Sequence, residues 1–216
     1  MKIKHIVFDW DGTLADTYPV ISKAYEHTFN ALDIPAVSYD EIKKLTSTLQ
    51  NKDTLDYIFG KLKEDAKKIF YEYINDHHTL HLQPIKGAQK LLQFCKNNNI
   101  KTYLITNKKR NYLLEEANKL DFTSFFSKIV TAGEFSEDKP HSLATHAVFE
   151  NNLPNANSIM VIGDGLADYK TARTYDHDNQ TAFCVIYDPY DKYSEDNPDY
   201  KVKNLTDIID ILKSLK

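Results

Sequence analysis

Five short apolar runs rich in β-branched residues punctuate the chain: Ile3–Asp9, Lys101–Thr106, Ser127–Thr131, Ser158–Gly163 and Thr181–Tyr187. Amphipathic segments near Gly87–Asn97, Asn111–Leu120, His141–Asn151 and Ala167–Tyr175 lie between the later runs. A stripe of Ile208, Ile209, Ile211 and Leu212 marks a last helix over Thr206–Leu215. Strands that alternate regularly with helices predict an α/β fold, a parallel sheet covered on both faces in three α/β/α layers.

The segment from Thr17 to about His81 breaks this rhythm. Its apolar residues recur at three- and four-residue spacing, as in Val20-Ile21-Ala24-Tyr25-Phe29 and Leu55-Ile58-Phe59-Leu62. So long a helical stretch between two strands is too much for a simple crossover. It predicts an inserted all-helical cap over residues 17–81, hinged near Ala15–Thr17 and Leu82–Pro84, on a core of residues 1–16 and 82–216.

Composition excludes several classes. At 216 residues with 42% hydrophobic and 27% charged residues, the chain has globular proportions. A net charge of −4 argues against nucleic acid as a partner. The absence of any long apolar run argues against a membrane span, and the strand-like start leaves no room for a leader, so a cytoplasmic monomer or homodimer is expected. Cys95 and Cys184 share no metal-ligand spacing and read as buried small apolar residues. His77, His78 and His81 read as a solvated helix end, because no acidic or cysteine ligand completes a metal set nearby. Tyr187–Tyr200, rich in Tyr, Asp and Pro, reads as a surface connection after the fifth strand.

Four segments carry chemistry. In Val7-Phe8-Asp9-Trp10-Asp11-Gly12-Thr13 an apolar strand runs into two aspartates whose i, i+2 spacing directs both carboxylates to one side. Their place at a strand's carboxyl end is where open α/β sheets bind ligands; taken alone, the segment also reads as a solvated Asp-Gly turn. Tyr103-Leu104-Ile105-Thr106-Asn107 ends a strand in groups able to donate hydrogen bonds to an anion, though such residues also follow strands for turn reasons. Asp138-Lys139-Pro140 reads as a helix start, with proline at the first helical position and the lysine at the positive helix end. In Val161-Ile162-Gly163-Asp164-Gly165-Leu166-Ala167-Asp168 a strand ends in an acid bracketed by glycines, and Asp168 can point back from the next helix. Carboxylates at separate strand ends can hold Mg²⁺, and helix capping by Asp164 is the alternative. Gly12, Gly163 and Gly165, three of only six glycines, fall beside these acids.

In this order and at these positions the four segments resemble the haloacid dehalogenase-like hydrolase superfamily over essentially the whole chain. Phe8-Asp9-Trp10-Asp11-Gly12-Thr13-Leu14-Ala15-Asp16 and Ile105-Thr106-Asn107-Lys108 are similar to its phosphoglycolate-phosphatase-like branch with a helical cap. The resemblance implies a Rossmann-like core and a Mg²⁺-dependent phosphatase of a small phosphorylated metabolite. It implies Asp9 as nucleophile, forming an aspartyl-phosphate, and Asp11 as general acid and base. An ordinary aspartate is ionised at neutral pH, with a pKa of about 3.9, and needs no base to attack phosphorus. It further implies Thr106, Asn107 and Lys139 around the phosphate, and Asp9, Asp164 and the Asp11 carbonyl on Mg²⁺, with Asp168 supporting them.

The sequence departs from the superfamily's pattern in three places: Ser142 where a second proline is common, Tyr175-Asp176 where Ala-Gly is common, and a cap loop reading Leu45-Thr46-Ser47-Thr48-Leu49-Gln50. A phosphosugar mutase of the same superfamily is a competing reading. Those relatives commonly carry valine at the Thr13 position and a cap-entry histidine, whereas Tyr18-Pro19-Val20-Ile21-Ser22 has none. A binding protein on a dead scaffold is a third reading, and would be expected to lack one of Asp9, Asp11, Lys139 or Asp164.

Overall fold

The computed structural model describes residues 3–38, 40–42, 51–191, 193–194 and 197–215, with 51–53 by their backbone alone. The loop at 45–50 lies outside the described residues. Two compact units divide the chain, one of residues 1–16 with 83–216, the other of residues 17–82.

The first unit is built on six parallel strands: β1 (His5–Phe8), β4 (Lys101–Lys109), β5 (Phe126–Ala132), β6 (Ile159–Gly163), β7 (Phe183–Tyr187) and β8 (Tyr200–Val202). Their spatial order is β5-β4-β1-β6-β7-β8. A separate two-residue pair, β2 (Ala15–Asp16) and β3 (Gln83–Pro84), is antiparallel. The helices are α4 (Ala88–Asn97), α5 (Arg110–Lys119), α6 (Ser142–Ala147), α7 (Leu166–Arg173) and α8 (Asp207–Ser214). The sheet with its flanking helices is an α/β, Rossmann-like core, as the alternation of segments predicts.

Alternation along the strands divides the core. Val7, Tyr103, Ile105, Val161, Cys184 and Ile186 pack with Ala144, Ala147, Ala172 and Tyr175 in one cluster. The intervening Ile6, Phe8, Leu104, Met160, Ile162 and Val185 are equally buried and belong to the opposite face. Tyr175 is fully buried and donates its hydroxyl to the Thr145 carbonyl at 2.9 Å. Both cysteines are free and buried, and burial pushes each thiol up to about 12, so they stay protonated.

The second unit is helical in its main described elements, α1 (Tyr18–Ala31), α2 (Asn51–Phe59) and α3 (Lys63–His77), with a 3₁₀ turn at Gly60–Leu62. The Leu55–Leu62 run therefore breaks at Gly60 instead of continuing as one helix. Tyr25, Phe29, Phe59 and Phe70 form its aromatic centre, with Tyr25 and Phe70 centroids 4.8 Å apart. The histidine end is only partly solvated, with His81 exposed as expected. His78 is buried, and His77 stacks on Tyr73 at 4.2 Å while its Nδ1 meets the Tyr73 carbonyl.

The described residues of the segment after β7 run mostly over the surface, as expected, and the segment is anchored at two points. Asp188 is buried, its backbone N–H bonds the Val202 carbonyl, and the chain returns as edge strand β8. Asp199 accepts from the Cys184 N–H at 2.7 Å, which ties the segment to β7.

Leu104 is fully buried on a central strand. Leu104→Ala should cost about 2–5 kcal/mol, the range for emptying such a site. Urea unfolding followed by circular dichroism measures it, with the midpoint lowered and the slope unchanged.

Candidate active site

β1 lies between β4 and β6, so the chain moves outward from it in both directions and a crevice opens at the strands' carboxyl ends. Register places Phe8 beside Leu104 and Ile162. Asp9 follows at once, its N–H still bonded to the Ile162 carbonyl. β1 ends there, and Gly12, at φ +75°, turns the loop back so that its N–H reaches the Ala15 carbonyl at 3.0 Å. A side chain at Gly12 would put its Cβ 2.5 Å from Asp164 Oδ2. Glycine there permits both the turn and the close approach of the two acidic loops.

Lys139 joins these loops. It is buried in the segment after β5, and its Nζ donates to Asp9 Oδ1, to Asp168 Oδ1 at 2.8 Å and to the Ile105 carbonyl at 3.3 Å. Three protons thus meet three acceptors. Burial opposes the charge, but the Asp168 and Asp9 carboxylates outweigh it and hold the ammonium above its ordinary value. The expected helix start is corrected here. Lys139–Pro140 is a cis peptide, His141 is the N-cap, and the helix begins only at Ser142. The lysine is placed by the loop and by carboxylates, not by a helix end.

Asp168 sits in the first turn of α7. Its Oδ2 accepts the N–H groups of Asp164 and Gly165, both at 3.1 Å. Capping is therefore done by Asp168, and the alternative of Asp164 as cap is set aside. The carboxyl reaches this position because residue 163 is glycine; a Cβ there would overlap the Asp168 carboxyl carbon. Gly165 meets nothing within 4 Å.

Asn107 donates its side-chain amide to the Lys139 carbonyl at 2.9 Å, and its Oδ1 is buried without a hydrogen-bond partner. Thr106 Oγ1 accepts from the Lys108 N–H at 3.1 Å, which leaves its hydroxyl proton available as a donor. Thr13, buried beside Asp9, is 3.5 Å from Asp9 Oδ2. Of the seven site residues named from the sequence, Asp9, Asp11 and Asp164 follow the carboxyl ends of β1 and β6, Thr106 and Asn107 lie in the last part of β4, Asp168 is in the first turn of α7, and Lys139 is on the segment after β5.

Asp9 sits in a crowded acidic setting. Burial pushes its pKa well up against the opposing Lys139 ammonium, and Asp168, Asp164 and Asp11 push it further. Asp9, Asp164 and Asp168 offer oxygens within 4.8 Å of one another. Lys139 alone does not balance this negative set, and a hard divalent cation with oxygen ligands fits it. With both Asp168 oxygens engaged by N–H groups, the chemistry favours Asp9 and Asp164 as donors to the metal.

Sequence reading missed a second charged set. Asp11 Oδ1 lies 2.7 Å from Lys108 Nζ, which lies 3.0 Å from Glu116 Oε1. Burial pushes the Glu116 carboxyl up while the Lys108 ammonium opposes it. The signal was present: Tyr112, Leu113 and Ala117 define a buried helical face, and Glu116 falls on it at i+4 from Tyr112.

A parallel sheet with an acidic, oxygen-donor crevice where its strand order reverses defines an α/β protein suited to binding a cation with an anionic ligand. The haloacid dehalogenase-like hydrolase family model matches residues 6–179. The chain belongs to that family. It is 24% identical to a phosphoglycolate phosphatase of Vibrio parahaemolyticus over 97% of this chain and 96% of that one. Identity is also 24% to the pyrophosphatase PpaX of Oceanobacillus iheyensis, over 98% of each. The fold is shared with a predicted phosphoglycolate phosphatase from Haemophilus somnus, at TM-score 0.80 and 17% identity over 98% of both chains. It is also shared with YfnB from Bacillus subtilis, solved bound to magnesium, at TM-score 0.75 and 19% identity over 99% and 100% of the two chains.

Two neighbouring glycines give a controlled test of the crowded turn. Gly163→Ala should lose about 1–3 kcal/mol through overpacking against Asp168. Gly165→Ala, with open space around it, should lose less than about 1 kcal/mol. Thermal unfolding of the pair reads the difference, and equal losses would refute the assigned role of Gly163.

Proposed function

We propose that the chain is a Mg²⁺-dependent phosphatase that hydrolyses a small phosphorylated metabolite, a phosphoglycolate-like monoester, through an aspartyl-phosphate on Asp9. The observation that carries this reading is the placement of Asp9: buried at the end of the central strand, bonded to Lys139, and next to Asp164. Membership of the hydrolase family and the names of the phosphatase relatives support it.

Asp9, Asp164 and the Asp11 backbone carbonyl would hold the ion. When bound, Mg²⁺ supplies positive charge that lowers the repulsion between carboxylate and phosphate and keeps Asp9 ionised. The Thr106 hydroxyl and Asn107 backbone would bind phosphate oxygens, and Lys139 would stabilise charge on the transferring group. Asp168 orients Lys139, and Asn107 holds the lysine's backbone. An Asp9 oxygen attacks phosphorus, the ester P–O bond breaks, and Asp11 protonates the departing alcohol. Water then attacks the same phosphorus as Asp11 takes its proton, and the bond to Asp9 breaks. The helical unit is proposed as a cap that selects small substrates and excludes phosphoproteins.

Chelation should abolish phosphate release and Mg²⁺ should restore it. A substrate panel should include phosphoglycolate and inorganic pyrophosphate, the two substrates that the relatives' names suggest. Full activity in excess chelator would sink the proposal.

Asp9→Asn should eliminate turnover, and Asp11→Asn should cost at least about 10²-fold, the loss typical of acid–base catalysis. In ¹⁸O-labelled water the released phosphate should carry label while Asp9 keeps its original oxygens. A mutase would release little phosphate. Turnover by Asp9→Asn, or unlabelled product, would refute the mechanism.

A further inference from the structure

Two lysines approach the two aspartates of the β1 loop, and the second has no part in the mechanism above. Lys108 Nζ spans Asp11 Oδ1 and Glu116 Oε1, at 2.7 and 3.0 Å. The other carboxylate oxygen of Glu116 accepts the indole N–H of Trp10 at 2.7 Å. Glu116 and Trp10 are both fully buried, and Trp10 is the residue between Asp9 and Asp11. One carboxylate on α5 therefore grips the loop twice, through the Trp10 ring and, by way of Lys108, through the Asp11 side chain.

Stability alone is a poor reason for this arrangement. Tyr112, Leu113 and Ala117 make the rest of that helix face, where an apolar residue would pack without burying a charge. Replacing buried ion pairs by well-packed apolar groups is often neutral or stabilising. The Trp10 backbone carbonyl, meanwhile, accepts the N–H groups of Thr13, Leu14 and Ala15, so a fixed indole fixes the whole turn.

We propose that Glu116 is a positioning residue for the acid–base step: it anchors Lys108, which holds Asp11 by one oxygen and leaves the other aimed at the reacting group. The inference rests on the reading of Asp11 as the proton-transfer group. The proton balance is simple. Asp11 gives its proton to the alcohol oxygen that leaves phosphorus, then regains one from the water that displaces Asp9. A side chain gripped at Oδ1 serves both transfers through Oδ2 without changing rotamer.

The experiment uses p-nitrophenyl phosphate, whose phenolate leaves without needing a proton. Phosphorylation of Asp9 then bypasses Asp11, while hydrolysis of the phosphoenzyme still requires it. Glu116→Gln keeps the size and an acceptor for Trp10 but loses the ion pair. It should release one equivalent of nitrophenolate per chain at nearly the wild-type burst rate. Steady turnover should then fall about 10- to 100-fold, within the cost of a displaced catalytic group. Phospho-Asp9 should accumulate in acid-quenched samples read by mass spectrometry. Lys108→Met carries the same expectation and decides the matter if Glu116→Gln does not fold. Equal losses in burst and steady rates would show general damage and overturn the proposal, as would an unchanged steady rate. Nitrophenolate release by Asp9→Asn at the wild-type rate would instead overturn the aspartyl-phosphate reading, and this inference with it.

Discussion

The ammonium of Lys139 is the contact on which the core unit's crevice depends. It joins the loop after β1 through Asp9, strand β4 through the Ile105 carbonyl, and the turn after β6 through Asp168. These strands are neighbours in the sheet, and Lys139 itself comes from the segment after β5, on one flank of them. A cation so deeply buried persists only with its partners in place; removing one partner of such a pair costs about 3–5 kcal/mol. The surrounding backbone is arranged around that requirement. Gly163 lets the Asp168 carboxyl lie against the chain, the N–H groups of Asp164 and Gly165 hold its second oxygen, and Asn107 ties down the lysine's own carbonyl.

The sheet was legible because its strands are apolar and β-branched and its helices are spaced between them. All five expected strands appear, with ends shifted by a few residues at most. Strands β2, β3 and β8 were not legible. They are two or three residues long, β3 contains Pro84, and no periodicity can register in so short a span. The helix expected from His141 to Asn151 stops at Ala147, and Glu150 and Asn151 beyond it take positive φ values.

At the site, Asp9 and Asp164 were readable because each directly follows an apolar strand, but their partners were not. Proline usually marks a first helical turn, and that rule misplaced Lys139: the N-cap is His141, and the helix lies further on. An aspartate after a strand usually caps the next helix, yet here the cap is Asp168, four residues later. Glu115 and Glu116 look alike in sequence; the first is exposed and the second has no exposed surface. Only the helical phase set by Tyr112, Leu113 and Ala117 separates them.

Two aspartates so close in sequence would repel if left together in a buried crevice, and the structure gives each its own cation. Lys139 joins Asp9 to Asp168 on α7, and Lys108 joins Asp11 to Glu116 on α5. In both cases an ammonium bridges a loop carboxylate to a more deeply anchored one on a helix, and the two bridges lead to elements that follow β6 and β4, the strands on either side of β1. They differ in how much freedom they leave. Asp9 is buried, with Lys139 on Oδ1 and Thr13 near Oδ2. The Asp11 side chain is 31% exposed and is held at Oδ1. In the proposed mechanism these are the demands of the two roles: a nucleophile must be fixed in line with phosphorus, while a proton-transfer group must keep one oxygen open to an alcohol and then to water. Separate lysines allow one short loop to meet both demands, because the rigidity imposed on Asp9 by Lys139 is not passed to the Asp11 carboxylate two residues away.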